Sequence, residues 1–296
     1  MEKVKGPIVP MLTPFSESGC IDGKTLRKFT NWLIEQGVSA LFPIGGSGER
    51  VALTKEEKKI IMQVVIEQAD KRVPVWPGTG GDSIRETIEL SQHAEKLGAD
   101  AVVVVVPRDI EPTEDSIFDY YREIDRSIDI PIYLYEPGGY EPYTITPKLF
   151  KRLSELSHIA GIKDSSSNMN KITRMLMEVE GTKVQVIQGN EVLYLASLPL
   201  GITGVIGGGC NVYPSLFNEL LRKYEGGDID SARKLQWRII EKWDILAKSW
   251  PLTGKIFFSM IGIPFKPICR VQTKKLSSED IERLRNSLVS DDYPPY

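Results

Sequence analysis

The stretch Ala101-Val102-Val103-Val104-Val105-Val106-Pro107 is followed by an amphipathic segment at 114–126, and then by Pro131-Ile132-Tyr133-Leu134-Tyr135. Five consecutive valines carry no polar face, so the first run reads as a strand buried on both sides. The segment after it repeats its apolar positions with a period of 3.6, and the second run is again β-branched and aromatic. A buried strand, a helix and a second buried strand make a parallel βαβ unit. Working outward from this unit, the same alternation occurs eight times. Strand-like runs lie near 6–12, 40–44, 73–77, 101–106, 130–135, 159–162, 184–187 and 204–206. Helical patterns occupy 24–36, 54–68, 83–97, 114–126, 146–156, 169–178, 191–198 and 214–224. Thr54 with Glu57 forms a capping box, and Thr146-Pro147 places proline in a first turn. Gly37, Gly98, Gly181 and Gly201 supply stops.

Eight strand–helix units predict an α/β fold, a (β/α)8 TIM barrel. The rival is a doubly wound open sheet, which announces itself by a glycine loop after the first strand. Here that strand ends in Leu12-Thr13-Pro14-Phe15. Beyond about residue 226 the β signals fade. Segments 228–249 and 277–289 look helical, with a Gly/Pro-rich break at 262–267, and 291–296 reads as a frayed end. The expected division is a barrel over 1–225 and a C-terminal helical domain over 226–296.

Composition narrows the function. The 296 residues carry 37 Lys+Arg against 40 Asp+Glu, a net charge of −3, and no basic cluster longer than two residues, which argues against a nucleic-acid partner. The longest apolar run, 101–107, falls far short of the ~20 residues of a membrane helix, and no secretory signal is visible. Three widely spaced cysteines, Cys20, Cys210 and Cys269, read as reduced thiols of a cytoplasmic protein. Only two histidines occur, His93 and His158, far apart, so neither a metal site nor a Ser-His-Asp triad is expected.

In a barrel, chemistry sits at the C-terminal ends of the strands. Lys163 directly follows Ile159-Ala160-Gly161-Ile162. If Ile162 faces the helices, Lys163 points into the barrel mouth. Lost solvation there favours the neutral amine, the nucleophile for imine formation with a ketone. The alternative is a lysine ion-paired with Asp164 or Glu136. Tyr135 ends the preceding strand and should neighbour Lys163, as a proton relay or as a rim aromatic. The loop Gly45-Gly46-Ser47-Gly48-Glu49 is either an anion nest or a tight turn, with the Ser47 hydroxyl free to bond to Tyr135 or to substrate. Gly207-Gly208-Gly209 reads as a wall thinned for substrate, or as a phosphate loop. Cys210 beside it reads as a small buried wall residue.

Together with Gly6-Pro7-Ile8-Val9-Pro10-Met11-Leu12-Thr13-Pro14-Phe15, Pro131-Ile132-Tyr133-Leu134-Tyr135, Gly161-Ile162-Lys163-Asp164-Ser165 and Gly201-Ile202-Thr203-Gly204-Val205-Ile206, these strand ends resemble the dihydrodipicolinate synthase / N-acetylneuraminate lyase family of class I aldolases. The resemblance spans nearly the whole chain. It implies that Lys163 forms an imine with pyruvate or another 2-oxo acid, with no separate cofactor. It implies that the Gly46 and Ser47 amides hold the acid's carboxylate, and that Tyr135 shuttles protons. Ser47 is expected to link the phenol to a proton path, Ile206 to line the substrate's place, and the assembly to be a homotetramer.

The chain departs from the family after two strands. Where synthases of the lysine pathway carry two tyrosines, it has Arg108 and Asp109. Tyr135 is followed by Glu136 instead of asparagine, and ungapped counting puts Tyr140 where those synthases carry a carboxylate-binding arginine. The expectation is therefore a lyase, aldolase or dehydratase, acting on a 2-keto-3-deoxy sugar acid. In that reading Glu136 and Asp109 bind hydroxyls and Arg108 binds a distal carboxylate, unless the three merely pair with one another. The alternatives are 4-hydroxy-tetrahydrodipicolinate synthase, a catalytically reduced barrel that binds a keto acid, and a phosphate-binding barrel without covalent catalysis.

Overall fold

The computed structural model describes residues 3–139 and 141–288. Seven parallel strands, β1 (Gly6–Pro10), β2 (Ala40–Phe42), β3 (Val102–Val105), β4 (Ile132–Glu136), β5 (Ile159–Asp164), β6 (Gln185–Gln188) and β7 (Gly204–Val205), run in the order β2-β1-β7-β6-β5-β4-β3. The eighth stave is the expected run at 73–77. It is no regular strand, yet it closes the barrel through parallel bridges Leu41↔Val75 and Gly78↔Val103. Its sequence explains the difference. Pro74 and Pro77 lack an N–H, so the run cannot sustain a ladder, but their carbonyls accept from Leu41 N and Val103 N at 2.9 and 3.0 Å.

Helices α1 (Gly23–Glu35), α2 (Lys55–Ala69), α3 (Ile84–Lys96), α4 (Glu114–Asp125), α5 (Pro147–Leu153), α6 (Met169–Glu178), α7 (Tyr194–Ser197) and α8 (Pro214–Glu225) follow the staves in turn. The local signals act as written. Thr54 Oγ1 accepts from Glu57 N while Glu57 Oε2 accepts from Thr54 N, and Thr146 caps α5 ahead of Pro147. Gly37, Gly98, Gly181 and Gly201 all adopt positive φ. Within 191–198 the expected helix breaks into a 3-10 turn, Glu191–Leu193, before the short α7.

Side chains of alternate strand residues form two separate apolar clusters. Ile162, Leu134 and Val104 pack toward the helices, whereas Tyr133, Trp76, Val103, Phe42, Ile187 and Ile206 fill the bore. Three further helices, α9 (Ile229–Leu246), α10 (Leu252–Met260) and α11 (Ser278–Leu288), follow the barrel. The expected helix reaching 289 and the frayed end at 291–296 extend outside the described residues. Phe258 and Phe265 pack edge-on to Phe29 of α1 at 4.7 and 5.1 Å, joining the C-terminal helices to the barrel. No helix among the described residues is long and apolar enough to cross a membrane.

Candidate active site

Two-residue alternation along β4 and β5 decides which side chains reach the mouth. Tyr135 pairs in register with Lys163, and Glu136 with Asp164. Because Ile162 packs in the outer cluster, Lys163 lies in the bore, 5% exposed. Its Nζ stands 4.2 Å from the centroid of the Tyr135 ring and 5.3 Å from that of Phe42. Phe42 in turn meets Tyr135 edge-on. The amine therefore sits on two aromatic faces and forms no ion pair among the described residues. The ion-pair alternative fails for the same geometric reason: Asp164 and Glu136 point the other way.

Their partner is Lys171 of α6, which sequence reading did not single out. It pairs with Glu136 Oε1, and with Asp164 Oδ2 at 3.0 Å. Glu136 Oε2 accepts from Ile145 N at 2.8 Å, and Asp164 Oδ1 accepts from Ser166 N. Burial raises the Glu136 pKa, and Lys171 opposes the rise. Glu136 is thus a strut between strand and helix, which corrects its expected role with substrate. Its position, one residue past a bore-facing tyrosine, puts it on the opposite face of the strand.

The loop at 45–49 reaches over the mouth. Ile44 and Glu49 bracket it at φ 63° and 59°, left-handed conformations rare for these residues and typical of functional loops. Gly48 is a glycine by necessity, since a Cβ there would meet Met11 O at 2.8 Å. Gly46 is exposed, and a Cβ on it would stand 3.6 Å from the Tyr135 hydroxyl. The side-chain partner expected for that phenol, Ser47, instead turns away. Its Oγ accepts from Trp250 Nε1 at 3.0 Å. The group beside the phenol is the Gly46 backbone. Neither the Gly46 nor the Ser47 amide donates within the protein among the described residues, so both are available to an anion.

Glu49, last residue of the loop, is fully enclosed. Its Oε1 takes Lys255 Nζ at 2.5 Å, and its Oε2 takes the amides of Arg270 and Val271 at 2.6 and 2.9 Å. Lys255 is 0% exposed and belongs to α10, a helix not singled out from the sequence. A lone lysine in the apolar run Leu252-Thr253-Gly254-Lys255-Ile256-Phe257-Phe258 was the available signal.

The glycine triplet after β7 leaves room for the protein's own side chains. A Cβ at Gly207 would strike Glu191 Oε2, one at Gly208 would strike the Trp243 and Trp250 rings, and one at Gly209 the Tyr213 ring. This replaces both the thinned-wall and the phosphate readings. Glu191 accepts from Gly209 N at 2.6 Å, and burial lifts its carboxyl to about 7 against the pull of nearby amides and Lys163. Cys210 beside it is buried, with its thiol pushed up by that burial, as an inert wall residue should be. Ile206 packs in the bore cluster. Arg108 and Asp109 lie exposed in the loop after β3, which Tyr143 ties down by donating to Arg108 O at 2.8 Å. They do not join Glu136. Tyr140 lies outside the described residues. Among those residues no cluster of His, Cys, Asp and Glu could hold a metal ion.

The arrangement brings an amine, a phenol and two loop amides without an acceptor among the described residues to one barrel mouth. Residues 3–290 match the model of the dihydrodipicolinate synthetase family. The chain is 33% identical over 288 residues to the 4-hydroxy-tetrahydrodipicolinate synthase of Thermodesulfovibrio yellowstonii, covering 97% of this chain and 98% of that one. It is 36% identical over 236 residues to the Pelobacter propionicus enzyme of the same name, covering 80% and 81%. A dihydrodipicolinate synthase from Bacillus anthracis superposes with a TM-score of 0.91 at 27% identity, over 98% of this chain and 99% of that one. An E. coli K12 prophage protein of the dihydrodipicolinic acid synthase family, solved in complex with pyruvate, gives 0.88 at 30% identity, over 95% and 96%. On a match that runs almost end to end, the chain belongs to the dihydrodipicolinate synthetase family of aldolase-type lyases.

Proposed function

We propose that Lys163 and Tyr135 cleave or dehydrate a 2-keto-3-deoxy sugar acid, or a similar 2-oxo acid, through an imine. The Lys163 amine adds to the C2 carbonyl, and the carbinolamine hydroxyl takes the Tyr135 proton and leaves as water, giving a protonated imine and a Tyr135 phenolate. The Gly46 and Ser47 amides hold the C1 carboxylate. In the retro-aldol course the C4 hydroxyl gives its proton to Tyr135 as the C3–C4 bond breaks. The bonding pair moves into the imine, which becomes an enamine, and an aldehyde departs. Protonation at C3 and hydrolysis release pyruvate and the free lysine. The imine nitrogen is itself the electron sink, so the chemistry requires no cofactor.

The observation that carries this reading is the Lys163 amine, free of any ion pair among the described residues, lying 4.2 Å from the ring of Tyr135. The names of the relatives favour a second reading, condensation by a 4-hydroxy-tetrahydrodipicolinate synthase. Against it stand Arg108 and Asp109 where that pathway's synthases carry tyrosines. Three free thiols fit a cytoplasmic enzyme. A homotetramer is the proposed assembly, although one structural neighbour at 27% identity is a monomeric dihydrodipicolinate synthase variant.

Borohydride reduction in the presence of pyruvate, read by intact mass and peptide mapping, tests the mechanism. One reduced pyruvyl adduct on Lys163, absent from Lys163→Ala, is the expected result. A folded wild-type protein without adduct refutes it. Turnover of 2-keto-3-deoxy sugar acids against turnover of pyruvate with aspartate semialdehyde then separates the two readings.

A further inference from the structure

We propose that Trp250, from the segment joining α9 to α10, is a positioning residue for substrate carboxylate binding and acts through Ser47. The proposal rests on the carboxylate role given above to the 45–49 loop. The indole N–H can only donate, whereas a serine hydroxyl has one proton and two lone pairs. Trp250 Nε1 occupies one lone pair of Ser47 Oγ at 3.0 Å. The hydroxyl proton must therefore point away from the indole, free for an anion held by the adjacent amides. Donation into Oγ also polarises the O–H and strengthens it as a donor.

The indole is itself fixed. Its ring meets Trp243 at 5.5 Å, and a Cβ on Gly208 or Gly254 would come within 3.1 or 2.7 Å of it. Glycine at those two positions leaves room for the ring. Two residues further along the loop, Lys255 holds Glu49. The carboxylate loop is thus set by the C-terminal helical segment at both Ser47 and Glu49, and only the first contact falls on a residue whose amide is proposed to hold the carboxylate.

The test uses the full chain as wild type, Trp250→Phe, Ser47→Ala and the double variant. The readout is the pyruvate concentration giving half-maximal borohydride trapping on Lys163, measured separately from the maximal extent. Trp250→Phe keeps an aromatic ring and loses the N–H. It should raise the half-saturating concentration about tenfold, the scale of one hydrogen bond, while maximal trapping stays unchanged. The double variant should bind no worse than Ser47→Ala alone. An unchanged half-saturation in Trp250→Phe, or multiplying effects in the double variant, overturns the proposal. Absence of any wild-type adduct overturns the imine reading, and this inference with it. A second measurement avoids altering Trp250: Ser47→Ala should move one of the five indole N–H resonances in the nitrogen-15 spectrum, and five unmoved resonances would refute the contact.

Discussion

At the scale of single residues, the site separates groups that face the bore from groups that brace it. Lys163 and Tyr135 rest on apolar and aromatic surface, while Glu136 and Asp164, one residue along, are consumed by Lys171. Glu191 is a further buried carboxyl near the mouth, and its burial has a measurable consequence. Its folded pKa of about 7 lies above the ordinary 4.5, so between these values the folded state holds more protons than the unfolded chain. Stability from this group is therefore present at low pH and lost as pH rises toward 7. Glu191→Gln, which cannot ionise, should gain on the wild type by about 2.5 kcal/mol between pH 5 and pH 8 in thermal unfolding. An equal difference at both pH values would contradict this. Lys163 and Tyr135 were legible in the sequence because strand alternation alone sets their phase. Lys171 was not, because its role depends on where α6 crosses β4 and β5, and no periodicity reports that crossing.

At the scale of elements, loops that follow the strands are held by contacts from elsewhere in the fold. One such contact from the helix layer is Lys171, a single cation at the start of α6 that serves two carboxylates on adjacent strands. Lys171→Met should leave both carboxylates buried and uncompensated, at a cost of about 3–5 kcal/mol in denaturant midpoint analysis. Adding Glu136→Gln to that variant should recover part of the loss; a double variant no more stable than Lys171→Met would argue against the strut. Helix and strand order were readable because caps, stops and apolar runs are local signals. Two elements departed from the pattern for local reasons as well. The stave at 73–77 carries two prolines, and α10 is apolar enough to hide between Pro251 and Gly262. The purpose of the glycine triplet was not readable, because glycine records only that something approaches. The approaching groups, Glu191, Trp243, Trp250 and Tyr213, come from four separate elements.

At the scale of the whole molecule, the barrel and the C-terminal helices meet at the 45–49 loop. Glu49 and Lys255 are both 0% exposed at the side chain, and the pair carries the connection. Lys255→Met should destabilise the protein by about 3–5 kcal/mol and weaken trapping on Lys163, because Glu49 loses its cation and the loop its anchor. Combining it with Glu49→Gln should cost less than the sum of the two single changes. Strictly additive losses in unfolding experiments would show that the two residues act separately. The two partners stand 206 residues apart in the chain, and Trp250 stands 203 residues from Ser47. On the ribosome this separation becomes a delay. The 45–49 loop is made early, but the groups that set its shape emerge only near the end of synthesis, so a nascent barrel complete in all its staves is still without a finished mouth. The contacts that shape this loop arrive with the last helices, and a chain that terminates before them carries Lys163 beside a loop without its anchors.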